Sequence, residues 1–186
     1  MSDLVRCKAC GYIMDGAKLR EFCPACGVPA KQLEPFDDRV KDERRRLLDL
    51  HIHPVIVHAP QAFALSLMLL PIALLFATGE LRTMCLDTTR LMGAALPITV
   101  LAAFLAGLFD GKLRFKKTST PILRKKKLVG GFFLVISLAM GALVLFANFE
   151  GLGSILRFEV LALAAMGCGA WLGFVGTPLA VAKFPG

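Results

Sequence analysis

Asp, Glu, Lys and Arg leave four long windows of this chain untouched: residues 50–79, 91–109, 128–149 and 160–182. Each approaches or exceeds the roughly 20 residues with which an α-helix crosses a hydrocarbon core of about 30 Å. A soluble bundle would show polar residues recurring about every 3.6 positions, whereas Phe63 to Ala77 and Val129 to Phe149 are apolar nearly all round. The pattern predicts an all-α, four-helix transmembrane bundle over 51–186, with helices at about 54–79, 91–109, 128–149 and 160–182. Pro71 and Pro97 fall inside the first two and are expected to kink them. Gly130, Gly131 and Gly141 in the third helix, and the Gly169, Gly173 step followed by Gly176 in the fourth, are expected to let helices pack closely within the bundle.

Residues 1–38 have a different texture: short, polar and cysteine-rich. Between them and the first window lies a basic stretch, 39–50, whose Arg39, Lys41, Arg44, Arg45 and Arg46 alternate with leucines and acids. It reads as a juxtamembrane helix on the membrane surface. No apolar stretch of the ~7 to 15 residues needed by a signal peptide occurs in 1–38, so this segment is expected in the reducing cytoplasm.

Composition sharpens the reading. The chain is 56% hydrophobic with a formal net charge of +8 and a mean hydropathy of +0.65. Residues 111–128 alone carry eight basic and no acidic side chains: Lys112, Arg114, Lys116, Lys117, Arg124, Lys125, Lys126 and Lys127. Charge confined to one inter-helix loop argues against a nucleic-acid-binding surface. Instead it marks topology: basic flanks stay cytoplasmic. With two crossings between 39–50 and this loop, and two more to Lys183, both termini are expected in the cytoplasm, across a multi-pass inner membrane. The loop is expected to lie on anionic membrane lipids; docking of an acidic electron carrier is the alternative.

Chemistry concentrates in two places. Cys7, Cys10, Cys23 and Cys26 form two Cys-x-x-Cys hooks separated by twelve residues. Such hooks present four thiolates to one tetrahedral metal, and so short a segment needs that staple to fold. Gly11 and Gly27 follow the second cysteine of each hook, where the chain must turn back. Spacing alone leaves a zinc ribbon and a mononuclear iron site open. Cys85 and Cys168 read as packing residues.

The second place is His51, His53 and His58, the three histidines of the chain, with Pro54, Pro60 and Gln61 at the entrance to the first window. Pro54 suits the first turn of a helix, and Pro60 is expected to disturb it. His58 and Gln61 share a helical face. On one regular helix His51 and His58 stand ~10 Å apart along the axis, so a single chain does not supply both axial histidines of a haem b; ligation shared with a second copy of the chain, a methionine partner such as Met92 or Met140, or a five-coordinate haem are the remaining arrangements. A quinone headgroup bound near His53 and His58 is another candidate, and histidines that only cap and anchor the first helix at the interface are the third reading, with Asp110 returning to the same level to pair with His58 or to lie solvated beside Lys112. No phosphate-cradling glycine loop or catalytic dyad points to a stand-alone enzyme.

The hook residues, with Tyr12, Pro24, Val28, Pro29 and the later Phe36, resemble the rubredoxin-like domain at the carboxy end of rubrerythrins, over about residues 5–36. The resemblance implies a small β/loop module holding iron on four cysteines and passing single electrons. The tryptophan of the longer rubredoxins is missing, which keeps zinc open. His53, Pro54, His58 and Pro60, with Gly107 and Asp110, resemble a prokaryotic four-helix membrane family of unknown function over 51–186. A further histidine that many of its members carry near the start of the third helix is replaced by Lys127, Leu128 or Val129.

Two readings follow. One is a membrane-anchored electron carrier working between a soluble cytoplasmic carrier or flavoprotein and the quinone pool or a membrane redox complex, alone, as a homo-oligomer or as a subunit. The other is a zinc-ribbon adaptor or assembly subunit without redox activity.

Overall fold

The computed structural model describes residues 4–37, 42–115, 119–146 and 151–180. Arg39, Lys41, Lys116, Lys117 and Lys183, used above as topology markers, lie outside them.

The cysteine module is built on a three-stranded antiparallel sheet, order β2-β1-β3, from β1 (Leu4–Cys7), β2 (Ile13–Asp15) and β3 (Leu33–Pro35). β1 is central, pairing Val5 with Met14 on one side and Pro35 on the other. Strands of three or four residues bury little apolar surface and are marginal by themselves. Cross-strand contacts supplement them: Arg6 donates to Glu34 at 2.7 Å and its guanidinium lies 5.6 Å from the ring centre of Phe36. The Phe36 amide in turn donates to the Leu4 carbonyl at 2.8 Å, so the closing aromatic is fixed to the start of β1.

The helical part comprises α1 (Asp42–Asp49), α2 (Ile52–Ile56), α3 (His58–Leu74), α4 (Gly79–Phe115), α5 (Pro121–Phe146) and α6 (Leu152–Ala180). Four segments are long and apolar enough to cross a membrane: Glu43–Leu74, Gly79–Arg114, Pro121–Phe146 and Leu152–Thr177. Their core is continuous, with Leu67, Leu96, Met140 and Phe158 fully buried, one from each of α3 to α6. Thr89 and Ser137 are fully buried too, and each hydroxyl donates at 2.7 Å to a carbonyl of its own helix, Cys85 and Leu134, so neither needs water.

The helices differ from the uncharged windows in instructive ways. α4 begins at Gly79 rather than near 91, so residues 80–90, expected as a loop, are helical, as are 152–159 at the start of α6. Charges at a helix end remain compatible with helix once that end leaves the hydrocarbon, and 37 residues span ~55 Å. For the same reason the basic segment is not one loop: 111–115 finish α4, while 121–128 begin α5. The first of these four segments is interrupted. His51, at φ 49°, sits in the left-handed region between α1 and α2, a conformation that histidine visits more readily than most residues. Pro60 has no N–H to offer the Ile56 carbonyl, and the hydrogen-bonded helix is interrupted at Val57 between α2 and α3, although Val57 keeps right-handed helical dihedrals (φ −64°, ψ −17°).

Two glycines of α5 carry its packing on α4. A Cβ on Gly130 would come within 2.9 Å of Phe104, and one on Gly141 within 3.2 Å of Pro97. The Gly169, Gly173 step does not act this way: among the described residues a Cβ on Gly169 would meet nothing within 4 Å, and one on Gly173 would lie 3.8 Å from the Gln61 amide nitrogen. Beyond α3, Arg82 reaches back to donate to the Leu74 carbonyl at 2.7 Å, satisfying a C-terminal carbonyl with a cation.

Candidate metal centre

Each hook is a tight turn, and the two turns are built alike. The Gly11 amide donates to the Cys7 carbonyl at 2.8 Å and the Gly27 amide to the Cys23 carbonyl at 2.9 Å. One residue on, the Cys7 amide donates to the Tyr12 carbonyl at 2.9 Å and the Cys23 amide to the Val28 carbonyl at 2.8 Å. Both closures require left-handed backbone: Gly11 has φ 73° and Gly27 φ 75°. The glycines singled out from the sequence are therefore needed for backbone conformation.

The turns bring all four sulfurs within 4.8 Å of one another. Cys7 Sγ lies 3.7 Å from Cys26 Sγ, and Cys10 Sγ 3.8 Å from Cys23 Sγ. A metal–sulfur distance near 2.3 Å in a tetrahedron requires sulfurs ~3.8 Å apart, so the set fits one four-coordinate ion. Cys7 and Cys23, the first of each hook, are 1% and 2% exposed, whereas Cys10 is partly exposed and Cys26 exposed. One side of the centre thus faces the sheet and the other meets solvent, with Tyr12 and Phe22 exposed on the same module.

Backbone amides also act on the sulfurs. Tyr12 bonds Cys10, Ala25 and Cys26 bond Cys23, and Val28 bonds Cys26, each favouring the thiolate. At Cys23 burial works against ionisation, yet the Cys26 and Ala25 amides, with the Cys26 and Cys10 thiols, outweigh it and bring the group down to about 7. At Cys10 the Tyr12 amide lowers the pKa, but burial and the other three sulfurs push it up to about 12. Four thiols so close resist joint ionisation in the free module, and a divalent or trivalent metal removes that conflict while displacing the protons.

The histidine region divides into separate arrangements. His51 is exposed, its Nδ1 2.7 Å from the Asp49 carbonyl. His58 is exposed, its Nδ1 3.3 Å from the Val55 carbonyl. Gln61 faces Gly173. His53 alone turns onto α4, its ring over Gly107, where a Cβ would lie 2.9 Å from Cε1. Its Nδ1 is buried without a hydrogen-bond partner. Met140, considered above as a haem ligand, is fully buried in the core.

Asp110 pairs with neither His58 nor Lys112. It accepts from Arg114 Nε at 3.0 and 2.9 Å, one helical turn away. The pair nevertheless stands close to His53: Lys126, Asp110 and Arg114 all act electrostatically on that ring. Lys126, Gly107 and Arg114 were not singled out by the sequence as site residues. The four-residue spacing of Asp110 and Arg114 was the available signal for that pair; nothing local in the sequence marks Gly107 or Lys126 as neighbours of His53.

No curated protein and no solved structure matches the chain. Residues 6–34 match the family model described as "Rubrerythrin, rubredoxin-like domain", so the four-cysteine module is rubredoxin-like, and four helices long and apolar enough to span a membrane follow it.

Proposed function

We propose that the protein is a membrane-anchored single-electron carrier, its four cysteines holding one iron that alternates between ferric and ferrous. The observation that carries this reading is the asymmetric tetrathiolate: four sulfurs within 4.8 Å of one another, Cys7 and Cys23 buried and Cys26 exposed. A fixed ligand set lowers the rearrangement that accompanies electron transfer. Amide dipoles favour the more reduced centre, and the exposed edge gives a partner a short path to the metal.

In this reading the basic ends of α4 and α5 face the cytoplasm of a prokaryotic cell, with both termini and the metal module on that side. Electrons pass between a soluble cytoplasmic carrier or flavoprotein and an acceptor or donor in the membrane, either the quinone pool or a redox complex. The linker 39–50 keeps the module tethered to the first crossing.

Anaerobic proteoliposomes test the membrane half of the reading. Ferrous protein in vesicles containing quinone is expected to reoxidise, and the same protein in quinone-free vesicles to stay ferrous. Persistence of the ferrous form in both would exclude direct exchange with quinone and leave a protein complex as the membrane partner. Persistence after adding a solubilised respiratory membrane fraction as well would reject the relay.

A further inference from the structure

α2 lies between two weak joints. It follows His51, whose φ of 49° is left-handed, and it ends where Pro60 leaves the Ile56 carbonyl without its helical donor. None of its five residues is buried, and Pro54 has no amide to give. A helix this short does not persist through its own hydrogen bonds, so packing on another element must fix it. The His53 ring supplies such a contact on α4. A Cβ on Gly107 would lie 2.9 Å from Cε1, 3.3 Å from Nδ1 and 3.4 Å from Nε2, so the ring rests on bare glycine backbone. A ring N–H donates to the Ala103 carbonyl, one turn earlier on α4, while Nδ1 is buried with no partner.

This arrangement suits only the neutral ring. Neutral imidazole has one N–H, which Ala103 accepts, and one lone pair left over. An imidazolium has a second N–H and a charge, and burying them without an acceptor is strongly unfavourable. The charged groups that act on the ring are Lys126 of α5 and Asp110 and Arg114 of α4; α3 carries no Asp, Glu, Lys or Arg. Asp110, the one acid among them, is already held through both oxygens by Arg114. We propose that His53 is an acid-released latch: neutral, it pins α2 on α4; protonated, it leaves Gly107 and lets α2 come away. The latch therefore holds above the pH at which a free histidine titrates and yields below it. Residues 1–38 are joined in sequence to the membrane helices through α2, so release lengthens their tether. Its five residues span ~7.5 Å as helix and up to ~17 Å extended, which gives the metal module about 10 Å more reach.

The test is amide hydrogen exchange of the full, metal-loaded chain in neutral detergent at pH 8 and pH 5, each rate divided by that of an unstructured peptide at the same pH. Protection over residues 51–57 is expected to fall about thirtyfold between the two, the ratio of protonated to neutral form for a free histidine of pKa ~6.5 at the lower pH. Protection of α3, α4 and α5 is expected to hold. His53→Gln, which cannot titrate, is expected to give the same protection over 51–57 at both values. His51→Asn and His58→Gln, at exposed positions, are expected to keep the thirtyfold fall. Should His53→Gln fail to fold, Gly107→Ala, which puts a methyl where the ring rests, is expected to bring protection at pH 8 down to the wild-type level at pH 5. Wild-type protection that is equal at both pH values would overturn the latch, as would a fall that persists in His53→Gln or disappears in His51→Asn or His58→Gln. Loss of protection in all the helices together would overturn it in favour of general acid unfolding, and full protection of Gly107→Ala at pH 8 would show that the ring does not pin α2.

Discussion

Pro97 of α4 and Gly141 of α5 are in contact at the centre of the bundle: a Cβ on Gly141 would lie 3.2 Å from the proline Cγ and 3.3 Å from the Gly93 carbonyl oxygen. Proline has no amide to donate to that carbonyl, four residues earlier, and glycine lets the second helix approach it. The unpaired carbonyl and the close packing are therefore one feature made by two residues on different helices.

Replacing Gly141 by leucine is expected to destabilise the bundle by about 1–3 kcal/mol through overpacking. Alanine is expected to be nearly neutral, because its helix preference of about 1 kcal/mol over glycine offsets the tight contact. Thermal unfolding in detergent measures both; a leucine variant as stable as wild type would show that the helices are free to separate here.

Gly27 tests a different cost. A Cβ there meets nothing within 4 Å, yet φ is +75°, so only backbone conformation opposes substitution. Gly27→Ala is expected to weaken metal retention against a chelator by about 1–2 kcal/mol, the left-handed penalty for an L-residue, and Gly27→Asn by less. Equal losses in the two would point to a steric cause instead.

The cysteines divide by burial. Cys23→Ser places a hydroxyl where no solvent reaches and is expected to abolish metal binding and the fold of the module. Cys26→Ser, at an exposed corner, is expected to keep a metal with reduced affinity and an altered charge-transfer spectrum. Titration with cobalt, whose tetrathiolate bands report ligand number, distinguishes them.

Arg6 holds the Glu34 carboxyl below the usual carboxylate range through their hydrogen bond, burial opposing and the charges of Arg6 and Lys8 assisting. A lowered folded value means that the pair stabilises the module fully above the unfolded pKa of about 4.3 and loses that contribution as pH falls through the lowered value. The stability difference between wild type and Glu34→Gln is therefore expected to be small and constant from pH 5 to 8 and to vanish in stronger acid. Both side chains are substantially exposed, so salt is expected to reduce it. Denaturant unfolding of the metal-loaded protein across pH gives this difference.

The elements with short-range signals were legible in the sequence. Two Cys-x-x-Cys hooks with a glycine after each specify their turns locally, and the sulfur tetrahedron follows. Four apolar windows gave four helices long and apolar enough to cross a membrane, because the hydrocarbon penalises charge. The same logic misjudged what lies outside hydrocarbon: Glu80, Arg82, Asp87 and Arg90 do not interrupt α4, since charge excludes a residue from lipid and not from a helix. Tertiary relations were the least legible. His53 rather than His58 turns inward because Gly107 leaves space for its ring, and Asp110 chose Arg114, one turn away on its own helix, over a histidine on another. Gly169 and Gly173 have the spacing of a packing motif, but among the described residues a Cβ on Gly169 would meet nothing within 4 Å.

The central claim is that the four-cysteine module carries a redox-active iron. Protein expressed without added metal and purified anaerobically should contain one iron per chain. Oxidised by air, it should show the red charge-transfer absorption and high-spin ferric resonance of a tetrathiolate, and both should disappear on reduction and return on reoxidation. A colourless protein with one zinc per chain, unchanged by oxidant or reductant, would contradict electron transfer by this module and favour the zinc-holding adaptor.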